Sequence, residues 1–205
     1  VTAALSRAGL LAIYICSFIV GSVLMGFEML GSRYLFPYFG GGIGTWASLI
    51  STVLCALAIG YFAGSAIVDR HPSPRTIGTM ILIAAAYLAL VPATADPVMA
   101  NILDHIGDGP SATLLASTAL LLIPLTLLGT FSPIAVSLLT RSAAEAGRVA
   151  GLVYGVSTIG NVVGTLFTTF TLIPLIGSRA ITYLFALALA VCAGILFIPF
   201  GKRAS

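Results

Sequence analysis

The sequence predicts an all-α polytopic membrane protein, a six-helix transmembrane bundle, and three observations carry that reading. Of its 205 residues 59% are hydrophobic and only 7% are charged, whereas a soluble domain is about a quarter charged. The apolar residues fall into long stretches, each near or above the ~20 residues that cross a ~30 Å hydrocarbon core as a helix. These stretches are continuous and do not alternate at period two, which points to helices and away from barrel strands.

The expected helices span residues 9–36, 45–68, 76–95, 111–139, 149–176 and 179–200, within one domain covering 1–205. The first is too long for the ~7–15-residue apolar core of a signal peptide and has no small-residue cleavage pattern, so it is read as a membrane span. Gly40-Gly41-Gly42 separates it from the second helix, and Pro72 and Pro74 mark the next turn. Pro97 follows the third helix. Residues 96–111 hold Val98, Ile102 and Ile106 at spacings of four, which fits either a short interfacial helix or a plain loop. Gly109-Pro110 opens the fourth helix, which Pro124 and Ser132-Pro133 interrupt, with Gly129 and Thr130 between them. Gly177 divides the last two helices.

Lysine and arginine set the expected orientation. Arg7, Arg70, Arg75, Arg141, Arg148, Lys202 and Arg203 fall on the side of the termini, and only Arg33 and Arg179 fall on the other. The positive-inside bias then places both termini in the cytoplasm of a cell (inner) membrane protein. The net charge of +3 reflects this anchoring and gives no solvated basic face for nucleic acid. Cys16, Cys55 and Cys192 stand alone in different helices without metal-ligand spacing, so buried thiols are expected, with no metal or cofactor.

A few polar residues fall within the apolar stretches. Glu28 is the one acidic residue well inside a predicted helix, where a charge costs at least ~2.5–3.5 kcal/mol. Arg33 follows five residues on, about 140° round the helix, so the two do not face each other. A structural pair with another helix, a substrate or proton site, and snorkelling toward the interface all stay open for Glu28. Arg33-Tyr34-Leu35-Phe36-Pro37-Tyr38-Phe39 and Trp46 read as an aromatic belt.

The fifth helix carries Gly147, Gly151 and Gly155, then Gly160 and Gly164, at the spacing that lets helices approach closely. Tyr154, Thr158, Asn161, Thr165 and Thr168 form a neighbouring polar stripe, fitted either to interhelical hydrogen bonds or to a cavity wall. The second helix has a related face of Ser48, Ser51, Thr52 and Cys55, with Gly60 and Gly64 beyond.

Gly64-Ser65-Ala66-Ile67-Val68-Asp69-Arg70, with Arg75 beyond, resembles the loop motif of major facilitator transporters, in which the Asp pairs with basic and helix-end groups. A wider resemblance covers most of the chain. Glu28-x4-Arg33, Gly44-Thr45-Trp46-Ala47-Ser48, Gly60-Tyr61-Phe62-Ala63-Gly64 and Gly129-Thr130-Phe131-Ser132-Pro133 contribute to it. So do Gly147-Arg148-Val149-Ala150-Gly151-Leu152-Val153-Tyr154, Ser157-Thr158-Ile159-Gly160-Asn161-Val162-Val163-Gly164-Thr165 and Leu172-Ile173-Pro174-Leu175-Ile176-Gly177. Together they resemble the membrane part of the fused major-facilitator/spermidine synthase family, in which a multi-helix region is joined to a soluble domain of aminopropyltransferase fold.

That resemblance implies one half of a facilitator bundle, working as a homo-oligomer or with another membrane subunit. It implies a transporter-like role in binding or moving a small amine such as a polyamine, and a possible soluble aminopropyltransferase-like partner. These 205 residues contain no glycine-rich strand-turn-helix for a nucleoside cosubstrate and no acidic catalytic cluster. No enzyme activity is therefore expected of this domain, and synthase chemistry would need a separate soluble one. The competing class is a non-transporting structural or anchoring subunit of a larger membrane complex.

Overall fold

The computed structural model describes residues 6–68 and 73–198. Six helices are long and apolar enough to cross a membrane: α1 (Arg7–Phe39), α2 (Ile43–Val68), α3 (Pro74–Ile106), α4 (Pro110–Leu139), α5 (Ala143–Leu175) and α6 (Ser178–Phe197). There is no strand among the described residues. The protein is a multi-pass membrane protein whose solvent over most of its surface is lipid.

Local chemistry fixes the helix ends. Ser6 caps α1 by accepting from the Gly9 N–H at 3.2 Å, and Gly40 closes it with a positive φ of 69°. The Thr45 hydroxyl donates to the Gly40 carbonyl at 3.0 Å, tying the start of α2 to the end of α1.

Two expectations are corrected along the chain. The segment 96–111 is neither a loop nor a separate short helix, because α3 runs through Pro92 and Pro97 to Ile106 and ends at Gly107, φ 93°. Its apolar spacing keeps Met99 and Ile102 on the buried face, which outweighs the two lost backbone donors. In α4, Pro124 is absorbed, and the interruption falls at Thr130, between Pro110–Gly129 and Phe131–Leu139. The missing Pro133 N–H leaves the Gly129 carbonyl without its usual donor there. Pro174 acts similarly on α5: Thr168–Leu172 forms a π turn, in which the Ile173 N–H reaches back to the Thr168 carbonyl.

The helices pair across the bundle as α1 with α5, α2 with α4, and α3 with α6, and α1 also touches every other helix. Exchanging α1 with α4, α2 with α5 and α3 with α6 maps these pairs onto one another. The α1–α5 pair becomes α4–α2, and α3–α6 maps onto itself. The weaker contacts follow: α3–α4 maps to α6–α1, and α1–α2 to α4–α5. Because successive helices reverse direction, the three-helix halves run in opposite senses, the arrangement of an inverted repeat.

Glycines hold the equivalent pairs together. A Cβ on Gly160 or Gly164 of α5 would strike the backbone of Phe18 or Ser22 of α1. On α2, a Cβ on Gly60 would stand 2.5 Å from the Thr126 carbonyl oxygen of α4, and one on Gly64 would stand 2.9 Å from that of Thr130. The close approach brings hydroxyls onto backbone: Ser17 donates to the Val153 carbonyl at 3.1 Å and Ser22 to that of Gly160 at 3.0 Å.

Gly151 and Gly155 depart from the expected packing role. Neither has an atom of another helix within 4 Å of the position its Cβ would take. The step of five from Gly155 to Gly160 turns the stripe by about 140°, so the first glycines face away from α1 and the second face it. Gly147 belongs to the outward set.

Candidate functional site

Glu28 lies on the buried side of α1 with 7% of its surface exposed. It forms no hydrogen bond or ion pair with any described residue. Of the partners the sequence suggests, Arg179 instead pairs with Asp96 across α6 and α3, and Arg33 is exposed without an ion pair among the described residues. The residue is thus largely buried, as the cost of a charge in lipid requires, and no described residue supplies a counter-group to its carboxyl.

Helix register identifies its neighbours in height. Gly31 stands against Leu49, where a Cβ would lie 3.1 Å from the leucine side chain. Since α1 and α2 are antiparallel, Glu28 three residues earlier is level with Thr52 three residues later. The parallel pair α1 and α5 meets at Ser22 and Gly164, which sets Thr169 level with Phe27. Thr52 is 3% exposed, and the side-chain oxygens of Thr52 and Thr169 are both buried without a hydrogen-bond partner. Thr169 also sits within the π turn. Three helices therefore each bring an unsatisfied polar side chain to one height, an uncommon concentration in a bundle of this kind.

A cleft of ≈ 270 Å³ opens above this level at the end of the bundle away from the termini. Met29, Ser32 and Arg33 of α1, Thr45 and Trp46 of α2, and Thr169 of α5 line it. Ser32 is one turn above Glu28 on the same face of α1. The cleft thus reaches the level of the carboxylate without Glu28 itself forming its wall.

The polar stripe of α5 does not form one continuous wall. Tyr154 is half-exposed and packs edge-on against Tyr61 of α2, with ring centroids 6.3 Å apart. Thr158 is exposed. The Asn161 side-chain oxygen is buried without a partner, and a Cβ on Gly21 would stand 2.9 Å from it. The Thr165 hydroxyl turns back to the Asn161 carbonyl at 2.9 Å. Asn161 and Glu28 share a face with Gly21 but sit about two turns apart in height, so they do not meet in one pocket. Tyr154 instead lines a second cleft of ≈ 640 Å³ toward the opposite end, with Pro133, Val136, Ser137 and Thr140 of α4.

Sequence reasoning missed Thr169 and left Thr52 as one hydroxyl on a polar face, because neither stands out until the helix register is known. It also read the cysteines as isolated: Cys16 and Cys192 are buried neighbours, the Cys16 thiol lying 3.9 Å from the Cys192 carbonyl oxygen, and Cys55 is exposed. Arg75 sits at the start of α3, its N–H donating to the Ser73 hydroxyl at 3.2 Å. Asp69 and Arg70 lie outside the described residues. No group of three or more metal-ligating side chains occurs among the described residues. The chain matches no protein-family model, no curated protein and no solved structure.

Proposed function

We propose that this domain is a transporter-like membrane unit that binds a small cationic amine at Glu28. One observation carries the reading: a largely buried glutamate without a partner among the described residues, level with two unsatisfied hydroxyls, beneath a cleft open to one end. A carboxyl in low dielectric is stabilised in its charged form by a cation with matching hydrogen-bond donors, and an ammonium supplies both. The resemblance to the fused major-facilitator/spermidine synthase family supports the same ligand class. Two clefts at opposite ends and an inverted pairing of helices suit alternating access about a central site.

Six helices match one half of such a machine, and in this proposal a second copy or another membrane subunit supplies the other. The outer faces of α2 and α5, the least buried of the six helices, are where it would sit. A soluble aminopropyltransferase-like partner belongs to the same proposal. So does a cell-membrane location with cytoplasmic termini.

The test is Glu28→Gln in purified protein, read by thermal stability with and without 1,4-diaminobutane. Wild type should be stabilised by the diamine and the variant should not. The variant alone should keep or raise its melting temperature, because no partner is lost and an unpaired buried charge is removed. A large fall in stability, with no ligand response in either protein, would favour the anchoring-subunit reading. The tight α1–α5 glycine contact, which resists sliding of those two helices, is the observation that favours that alternative.

A further inference from the structure

Arg33 and Glu28 are opposite charges on one helix, and neither has an ion-pair partner among the described residues. Arg33 lines the cleft at its outer side and is exposed. Glu28 is buried one turn below Ser32, which lines the same cleft. The five-residue step separates their Cα atoms by about 7.5 Å along the helix axis. A ligand with only positive charge can pair with Glu28 but leaves the Arg33 guanidinium at the cleft's outer side without a partner. A ligand with an ammonium at one end and an anionic group at the other would satisfy both.

We infer that the site is selective for a zwitterion with well-separated charges, its ammonium directed to Glu28 and its anionic end held by Arg33. The inference rests on the amine-binding reading above and adds the second charge. Guanidinium is suited to the outer role, because its planar fork binds a carboxylate or phosphate through two parallel hydrogen bonds. The hydroxyls of Thr52 and Thr169 remain for the ammonium hydrogens that Glu28 does not accept. The chemistry fits a soluble ω-amino carboxylate, and it also fits an aminophosphate lipid headgroup.

The experiment compares 6-aminohexanoate with 6-aminohexanamide, which differ only in the distal charge, by titration calorimetry on the purified full chain. Wild type should bind the carboxylate about 10-fold more tightly than the amide, the gain of one charge-assisted pair worth about 1.4 kcal/mol. Arg33→Ala should bring that ratio to about 1 with little change in amide affinity. Arg33→Lys should retain part of the preference, and Glu28→Gln should lose both probes. Arg33 is exposed, so its truncation removes little packing. Nanodiscs of phosphatidylethanolamine against phosphatidylcholine separate the sources. Competition only in the former assigns the site to the headgroup, and equal binding in both assigns it to a soluble zwitterion. If wild type binds amide and carboxylate equally, and both through Glu28, the zwitterion inference fails while the amine reading stands. If wild type binds neither these probes nor 1,4-diaminobutane, both fail.

Discussion

Gly164→Ala offers the sharpest test of how the bundle is held together. The added Cβ would lie 2.5 Å from the Ser22 Cα and closer still to the Ser22 carbonyl oxygen, against an ordinary contact distance of at least 3.4 Å. The obstacle is main chain, which cannot rotate away, so α1 and α5 must separate by about 1 Å. That strains the Ser17–Val153 and Ser22–Gly160 hydrogen bonds, which stand at 3.1 and 3.0 Å. Overpacking of this kind costs about 1–3 kcal/mol, and the two bonds put a further ~0.5–1.5 kcal/mol each at risk. Against this, alanine in a helix interior gains about 1 kcal/mol over glycine. The expected net loss is about 1–5 kcal/mol, at roughly 2–4 °C of melting temperature per kcal/mol for a chain of this size. Gly155→Ala, with no atom of another helix within 4 Å, receives the helix gain alone and should be neutral or more stable. A thiol-reactive dye can follow unfolding, since Cys16 and Cys192 are buried in the folded state. Equal melting temperatures for Gly164→Ala and Gly155→Ala would refute the contact.

The same reasoning covers the equivalent pair: Gly60→Ala should destabilise comparably, because its Cβ meets the Thr126 carbonyl oxygen at 2.5 Å, and thermal unfolding checks it. Tyr34→Phe removes a buried 2.9 Å hydrogen bond to Thr182 between α1 and α6. It should cost only about 0.5–1.5 kcal/mol, since Thr182 keeps its bond to the Ser178 carbonyl. For topology, single cysteines at Ser142 and Asp108 in a Cys55→Ser background should label from opposite sides of the membrane, Ser142 from the cytoplasm. Labelling from one side would overturn the six-span arrangement.

The number and placement of the helices were legible because lipid imposes a length and a composition that any reader of the chain can measure. The misjudged boundary was at Pro97, where a proline was taken as a stop. In this bundle the buried side chains of Met99 and Ile102 beyond it carry the helix on. The glycines show what a one-dimensional pattern holds and what it loses. Gly151–Gly155 and Gly160–Gly164 share the same spacing, and only the step of five between them distinguishes an outward-facing pair from a contact pair. That phase was in the sequence, but its meaning depends on which face α1 occupies. Glu28 was legible as a residue needing a reason, whereas its company was not. Thr52 and Thr169 reach its level only through the antiparallel register of α1 with α2 and the parallel register of α1 with α5.

The internal exchange of helices carries this further. Gly64 meets Thr130 as Gly164 meets Ser22, so the position on α4 equivalent to Glu28, six residues beyond, is Val136. Val136 lines the second cleft, at the opposite end of the bundle from the first. The scaffold thus repeats, with its two glycine-locked pairs and two clefts, but the charge does not. A purely structural bundle gains nothing from setting a carboxylate in one repeat where a valine serves in the other, since the valine is the cheaper residue to bury. The asymmetry is therefore not explained by packing alone. It sets α1, between α2 and α5, apart from its counterpart on α4, where Val136 stands beside Ser137 and Thr140 in the second cleft.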